Sequence, residues 1–177
     1  KQETKELIEN IREDHPAVVE ELLPGVLSLG EIQRVLSNLL REQVSIRDLV
    51  TILETLSEYG KTTTDTDLLT EYTRQRLSGY ITGKYVQDNT LKVVVLDGNL
   101  EELIMNSLNK SETGSYLAIE PDIIQKVLAS SLKQVQNLTS IGEQPIILTA
   151  PIVRFYFKRM TEQLTRDMIV LSYNEIE

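Results

Sequence analysis

The sequence predicts an α + α/β fold: an all-helical domain followed by a small four-stranded, largely parallel α/β domain. Three observations carry this. Through residue 82, apolar side chains recur at the i, i+3, i+4 spacing of amphipathic helices. At Gly83 that periodicity stops, and residues 83–90 (GKYVQDNT) read as a linker. Beyond it, short apolar runs starting with Leu91–Leu96 (LKVVVL) alternate with helical stretches, as strands and crossover helices do in a parallel sheet. The expected division is therefore an all-helical stretch over residues 1–82 and an α/β region beyond the linker.

Lys1–Glu13 reads as a helix with only Leu7, Ile8 and Ile11 to bury, so it needs a neighbour. Asp14-His15-Pro16 breaks it, and Pro16 suits the first turn of a second helix, Ala17–Leu23, which Pro24-Gly25 ends. Leu27–Tyr59 then holds two amphipathic segments joined by a short polar break. Ser28 stands three residues before Glu31 and Ser45 three before Asp48, each pair matching a helix-start signature. Leu29, Ile32, Val35, Leu36, Leu39 and Leu40 form the first apolar face, and Ile46, Leu49, Ile52, Leu53 and Leu56 the second. Gly60 is a stop, Asp65 an available cap, and Asp67–Thr82 a further helix with Leu68, Leu69, Tyr72, Leu77, Tyr80 and Ile81 inward.

In the second half, Leu91–Leu96 is the first strand and Asn99–Asn109 a helix. Tyr116–Ile119 is a strand and Pro121–Leu138 a helix opening on proline. Pro145–Leu148 is a strand, Pro151–Leu164 a helix and Met168–Leu171 a last strand. Right-handed crossovers are expected between parallel strands.

Composition narrows the function. The net charge is −9, divided as −5 over residues 1–87 and −4 over 88–177, which argues against nucleic acid or an anionic membrane as the main partner, and no direct membrane contact is expected of this chain. Cysteine is absent, so the chain has no disulfide and no thiolate nucleophile or ligand. His15, the one histidine, sits at a helix break, which excludes a histidine-based triad or a histidine-rich metal site within the chain. No phosphate-binding glycine loop or nucleophile elbow is present. No cofactor, metal ligand or catalytic residue is assigned, and the chain is expected not to be an enzyme. No stretch approaches the roughly 20 apolar residues of a membrane span, and the missing initiator Met suggests a piece of something longer.

One chemical alternative remains from the residues alone. Asp97 follows the first strand, Asp122 and Asp167 lie near other junctions, and Thr149 ends a strand. Strand ends in α/β sheets are where ligands bind. A small-molecule or phosphoacceptor α/β domain with a helical regulatory half would gather these groups around a cation. The competing reading is that Asp97 and Asn99 are cap or turn residues.

The words VVEELLPGVLSLGEIQRVLSNLLREQVSIRDLVTILETLSEYG, TDTDLLTEYTRQRLSGYI and PIILTAPIVRFYFKRMTEQLTRDMIVLSYNEI cover most of the chain. With them it resembles the cytoplasmic domain of the export-gate family of flagellar and virulence type III secretion systems, and LLTEYTRQ and LSYNEI lean to the flagellar branch. The resemblance implies a soluble region on the cytoplasmic face of the bacterial inner membrane, belonging to an integral membrane protein. It implies a nine-membered ring of neighbouring copies and, as partners, export chaperone–substrate complexes and other export-apparatus proteins. Residues 1–16 would be a helix left from a preceding subdomain, 17–85 the third subdomain and 90–177 the fourth. Membrane segments and the first two subdomains would lie outside this chain, so no chaperone-binding residues are carried over, and the isolated chain is expected to be monomeric or weakly associated. Because the third subdomain is the family's main ring-contact region, Arg41, Glu42, Arg47 and Asp48 become candidates for the ring or partner interface. The alternative, that they are solvated charges and local caps, stays open.

Overall fold

A computed structural model describes residues 1–111, 114–163 and 165–176, and the chain falls into two units, Lys1–Ile81 and Thr82–Glu177. In the first unit α1 (Gln2–Asp14) packs on α2 (Pro16–Leu22) and α3 (Leu29–Arg41). The neighbour that the short first helix requires is thus in its own unit: Thr4 and Ile8 are buried, while Leu7 stays exposed. Pro16 occupies the first turn of α2, as its missing N–H allows. Ser28 and Glu31 form a complete capping box at the start of α3, in which the Glu31 carboxylate accepts the Ser28 N–H at 2.7 Å.

After α3 come α4 (Leu49–Tyr59) and α5 (Thr66–Arg76), and the core is the meeting of their apolar faces. Ile32, Val35, Leu39, Ile52, Leu53, Leu56 and Leu69 are among its buried residues. Tyr59 and Tyr72 stack with ring centroids 4.2 Å apart. At the end of α4, a Cβ on Gly60 would lie 2.7 Å from Val26 Cγ1, so only glycine lets the chain pass so close.

Two helix assignments change. Asp67–Thr82 is not one helix: Asp65 caps α5 by accepting the Asp67 and Leu68 N–H groups, and a short α6 (Ser78–Thr82) follows the Leu77 cap. The break falls at Leu77, just before Ser78-Gly79, a pair that weakens helix continuity. Leu68 and Tyr80, expected inward, are exposed, Tyr80 at 67%. Leu40, expected on the apolar face of α3, is also exposed, at 54%.

In the second unit Gln87 and Thr90 bridge across a turn whose Asp88 and Asn89 have φ of 50° and 58°, so the expected linker contains a tight turn. Then follow β1 (Val94–Val95), α7 (Gly98–Asn106), β2 (Leu108–Ser111), β3 (Gly114–Leu117) and α8 (Pro121–Ser140). The chain continues through β4 (Ile146–Thr149), α9 (Pro151–Thr161) and β5 (Ile169–Ser172) to a 3-10 turn, Tyr173–Glu175. The sheet is parallel, in the order β1-β4-β5, with Val95 opposite Leu148 and Leu148 opposite Leu171. All of central β4 is buried, whereas β1 is a short edge strand with Val95 58% exposed. Phe157 and Met160 of α9, Val127 and Leu128 of α8, and Ile104 of α7 complete the core on the sheet. Leu164, at the end of the expected α9, lies outside the described residues.

The α + α/β architecture stands, with one correction in the sheet. The strand expected over 116–119 does not join the parallel sheet; it pairs antiparallel with β2, Asn109 opposite Tyr116. The first two residues of β2, Leu108 and Asn109, fall at the tail of the expected helix Asn99–Asn109. That helix stops early because Ser107 turns its hydroxyl onto the Leu103 carbonyl while its own carbonyl accepts the Ala118 N–H. A lone hairpin is marginal in water, and Leu117 anchors this one on the core of the unit.

Candidate functional site: the connector between α3 and α4

The break between the helices of the first unit is a built connector, Glu42–Asp48. At the end of α3, Gln43 takes a left-handed conformation with φ of 60°. Its N–H donates to the Leu40 carbonyl at 3.0 Å, and the Val44 N–H to the Leu39 carbonyl at 2.9 Å. This pair of bonds is the Schellman arrangement, with Val44 and Leu39 both buried beneath it. Ser45 does not cap α4. Its hydroxyl accepts the Arg47 N–H within the connector, and the Asp48 carboxylate accepts the Thr51 N–H and so caps the helix. An ionised carboxylate at a helix start is favoured by the exposed N–H groups and the helix dipole.

The four candidate interface residues therefore hold different places. Arg41 and Arg47 are exposed, beside exposed Leu40. Asp48 is half-buried and serves the cap. Glu42 is the C-cap residue of α3, and its carboxylate accepts a 2.8 Å hydrogen bond from Arg74, whose side chain is only 3% exposed. From the sequence, Arg74 reads as one of several arginines spread among acids, Glu42 included, in exposed pairs, because arginines are mostly exposed; the burial of this pair is what the structure adds. The signal was present as spacing. Asp67, Thr70 and Arg74 stand at i, i+3 and i+7 on α5, opposite Asn38 and Glu42 at i and i+4 on α3. Asn38 Nδ2 donates to Asp67 Oδ1 at 3.3 Å and to Thr70 Oγ1 at 3.1 Å. Two carboxyls elsewhere in the unit are lowered from their ordinary pKa: Glu31 by the Ser28 backbone N–H and hydroxyl, and Glu21 by its hydrogen bond to Lys61 and the charge of that lysine.

The strand-end acids of the second unit do not gather. Asp97 caps α7, accepting the Asn99 N–H at 2.9 Å. Thr149 is buried and donates its hydroxyl to the Ala150 carbonyl, and Asp122 lies in the first turn of α8. Asp167 is exposed, its N–H donated to Thr165. Among the described residues, no group of three His, Cys, Asp or Glu could hold a metal ion. An open concavity of about 440 Å³ lies beside the Asp88–Asn89 turn, lined in part by Lys92 and Glu143, and a groove of about 330 Å³ runs between Tyr116, Phe155 and Arg159. Neither is lined by Asp97, Asp122 or Thr149. The phosphoacceptor arrangement thus loses the convergence it needs, because its leading acid is used by a helix start.

The model of the FHIPEP family matches residues 1–177. The chain belongs to the FHIPEP family. It is 49% identical over 178 residues to the flagellar biosynthesis protein FlhA of Bacillus subtilis (strain 168), covering all of this chain and 26% of that protein. It superposes with a TM-score of 0.89 at 36% identity on the structure of the Chlamydia pneumoniae CdsV and CdsO protein complex, covering 99% of this chain and 52% of that one. It superposes with a TM-score of 0.87 at 33% identity on nonameric EPEC SctV-C, covering 99% of this chain and 53% of that one. The chain spans about a quarter of the length of the curated FHIPEP relatives it matches. Among the described residues, no helix is long and apolar enough to cross a membrane.

Proposed function

We propose that this FHIPEP segment is part of the cytoplasmic docking platform of a flagellar, type III export gate. There it contributes to ring assembly and to recruitment of chaperone–substrate complexes and other export components. The observation that carries the reading is the match of the whole chain to a family whose solved members include a nonamer. Capture of a second export protein is supported by the relative CdsV, whose structure is that of a complex with CdsO. In this reading residues 17–85 and 90–177 are the third and fourth subdomains, 1–16 is the end of a preceding one that packs on the third, and the segment lies on the cytoplasmic face of the inner membrane.

A closed ring requires two different surfaces of one copy to meet. The connector region is suited to supply one of them. Arg41 and Arg47 are exposed cations in an acidic chain, Leu40 adds apolar area, and Asp48 and Glu42 hold the backbone that presents them. Arginine is enriched at interface centres because its planar fork makes several hydrogen bonds at once.

The test is replacement of the matched quarter of Bacillus subtilis FlhA by this chain, with swimming and flagellar export as readouts. Recovery of export is expected. A chimera that accumulates, folds and exports nothing contradicts the proposal.

A further inference from the structure

The polar contacts between α3 and α5 form a ladder along one line: Asn38 to Asp67 and Thr70, then Glu42 to Arg74. Every contact joins the last turns of α3 to one stripe of α5, and the final rung is the residue from which the connector departs. Such a ladder is a costly way to hold two helices together. Taking a guanidinium out of water costs most of what its ion pair returns, and apolar side chains of similar volume commonly hold the same site as well or better. A buried polar pair does better at fixing one arrangement among several, because a shifted register leaves charges unpaired. Here the arrangement at stake is local. Glu42 immediately precedes Gln43, which lacks the freedom of glycine yet sits at φ 60°. The two N–H bonds that close the α3 end start at Gln43 and Val44, the next residues in the chain.

We infer that Arg74 is a positioning residue: through Glu42 it holds the connector Glu42–Asp48 in the one conformation that presents Arg41 and Arg47 to a second copy of this protein. The inference rests on the ring reading for its consequence, but its structural half stands on the ladder alone. Arg74 itself is buried, its side chain 3% exposed. It acts by denying the end of α3 any rotation or fraying that would release Gln43 from its left-handed conformation.

The experiment pairs Glu42→Leu with Arg74→Met, which removes both charges and keeps the volume. In the 177-residue chain, amide hydrogen exchange at Gln43 and Val44 is expected to accelerate by about tenfold or more, while amides in the middle of α4 keep their rates. Adding Gln43→Gly, which favours the left-handed turn without the ladder, is expected to restore part of the protection. Should the double variant fail to fold, Arg74→Lys retains a cation for Glu42 without the fork and is expected to give intermediate exchange. Unchanged exchange at Gln43 and Val44 overturns the inference. In the FlhA chimera, the same double variant is expected to weaken ring assembly, measured by sedimentation, as Arg41→Glu with Arg47→Glu does. Loss of assembly in the arginine variant but not in the ladder variant also overturns it. If the arginine variant leaves assembly intact, the connector's place in the ring fails, and the exchange result still decides whether the ladder sets the connector.

Discussion

Arg74 Nη1 lies 2.8 Å from Glu42 Oε2, joining the interior of α5 to the C-cap of α3 across a sequence distance that only the tertiary fold brings together. Truncating one side of that pair removes a short ion pair from a largely buried site. Arg74→Ala is therefore expected to cost about 3 kcal/mol, far more than an exposed pair such as Arg76–Glu58. Chemical denaturation followed by the near-ultraviolet dichroism of the stacked Tyr59 and Tyr72 would measure it. A cost below about 1 kcal/mol would place the pair with surface ion pairs.

The start of α4 separates two hydroxyl- or carboxylate-bearing candidates. Asp48→Ala is expected to cost about 1 kcal/mol through loss of the Thr51 N–H bond, while Ser45→Ala stays within about 0.5 kcal/mol. Equal costs would mean that Ser45 contributes to the helix start as its spacing suggests.

Gln43→Gly is expected to stabilise the first unit by about 0.5–1 kcal/mol, because a non-glycine residue at φ 60° carries steric strain that glycine lacks. A destabilised variant would show that the Gln43 side chain contributes more than its backbone conformation costs.

The depressed pKa of Glu31 has a pH signature. Its folded carboxyl titrates below the ordinary value, so its contribution to stability is fully present above the unfolded pKa and disappears as pH falls through the folded one. The dominant cause is the Ser28 N–H, which bonds the ionised form. Glu31→Gln is thus expected to lower stability near neutral pH and to converge with the parent in acid. Parallel curves throughout the acid range would contradict the assignment.

Asp97→Asn separates a cap from a phosphoacceptor. Asparagine caps as well as aspartate, so stability and export in the chimera are expected to be unchanged. Loss of export with the fold intact would return a chemical role to that carboxylate.

What could be read in advance followed local chemistry. Ser28 with Glu31, Asp65, and the prolines at 16, 121 and 151 mark helix starts by groups that act within one turn. The apolar runs at Ile146–Thr149 and Ile169–Ser172 give the two well-buried strands. What was not legible depends on distant partners or on backbone states without a residue signature. Gln43 gives no hint of a left-handed turn, since glycine or asparagine usually marks one. Leu108-Asn-Lys-Ser has no alternating apolar pattern, and becomes a strand only because Leu117 and its neighbours pack beside it. The connector was visible as a cluster of charges, but the division of labour within it was not. Glu42 is committed by Arg74 and Asp48 by the α4 start, which leaves the outward-facing part to Leu40, Arg41 and Arg47.

Sedimentation of the FlhA chimera, with and without Arg41→Glu and Arg47→Glu, bears most directly on whether this chain helps build an export ring. The expected result is assembly in the parent chimera, loss of assembly in the variant, and the same thermal unfolding for both. Assembly that persists at full strength in a folded variant would contradict the place of the connector in the ring.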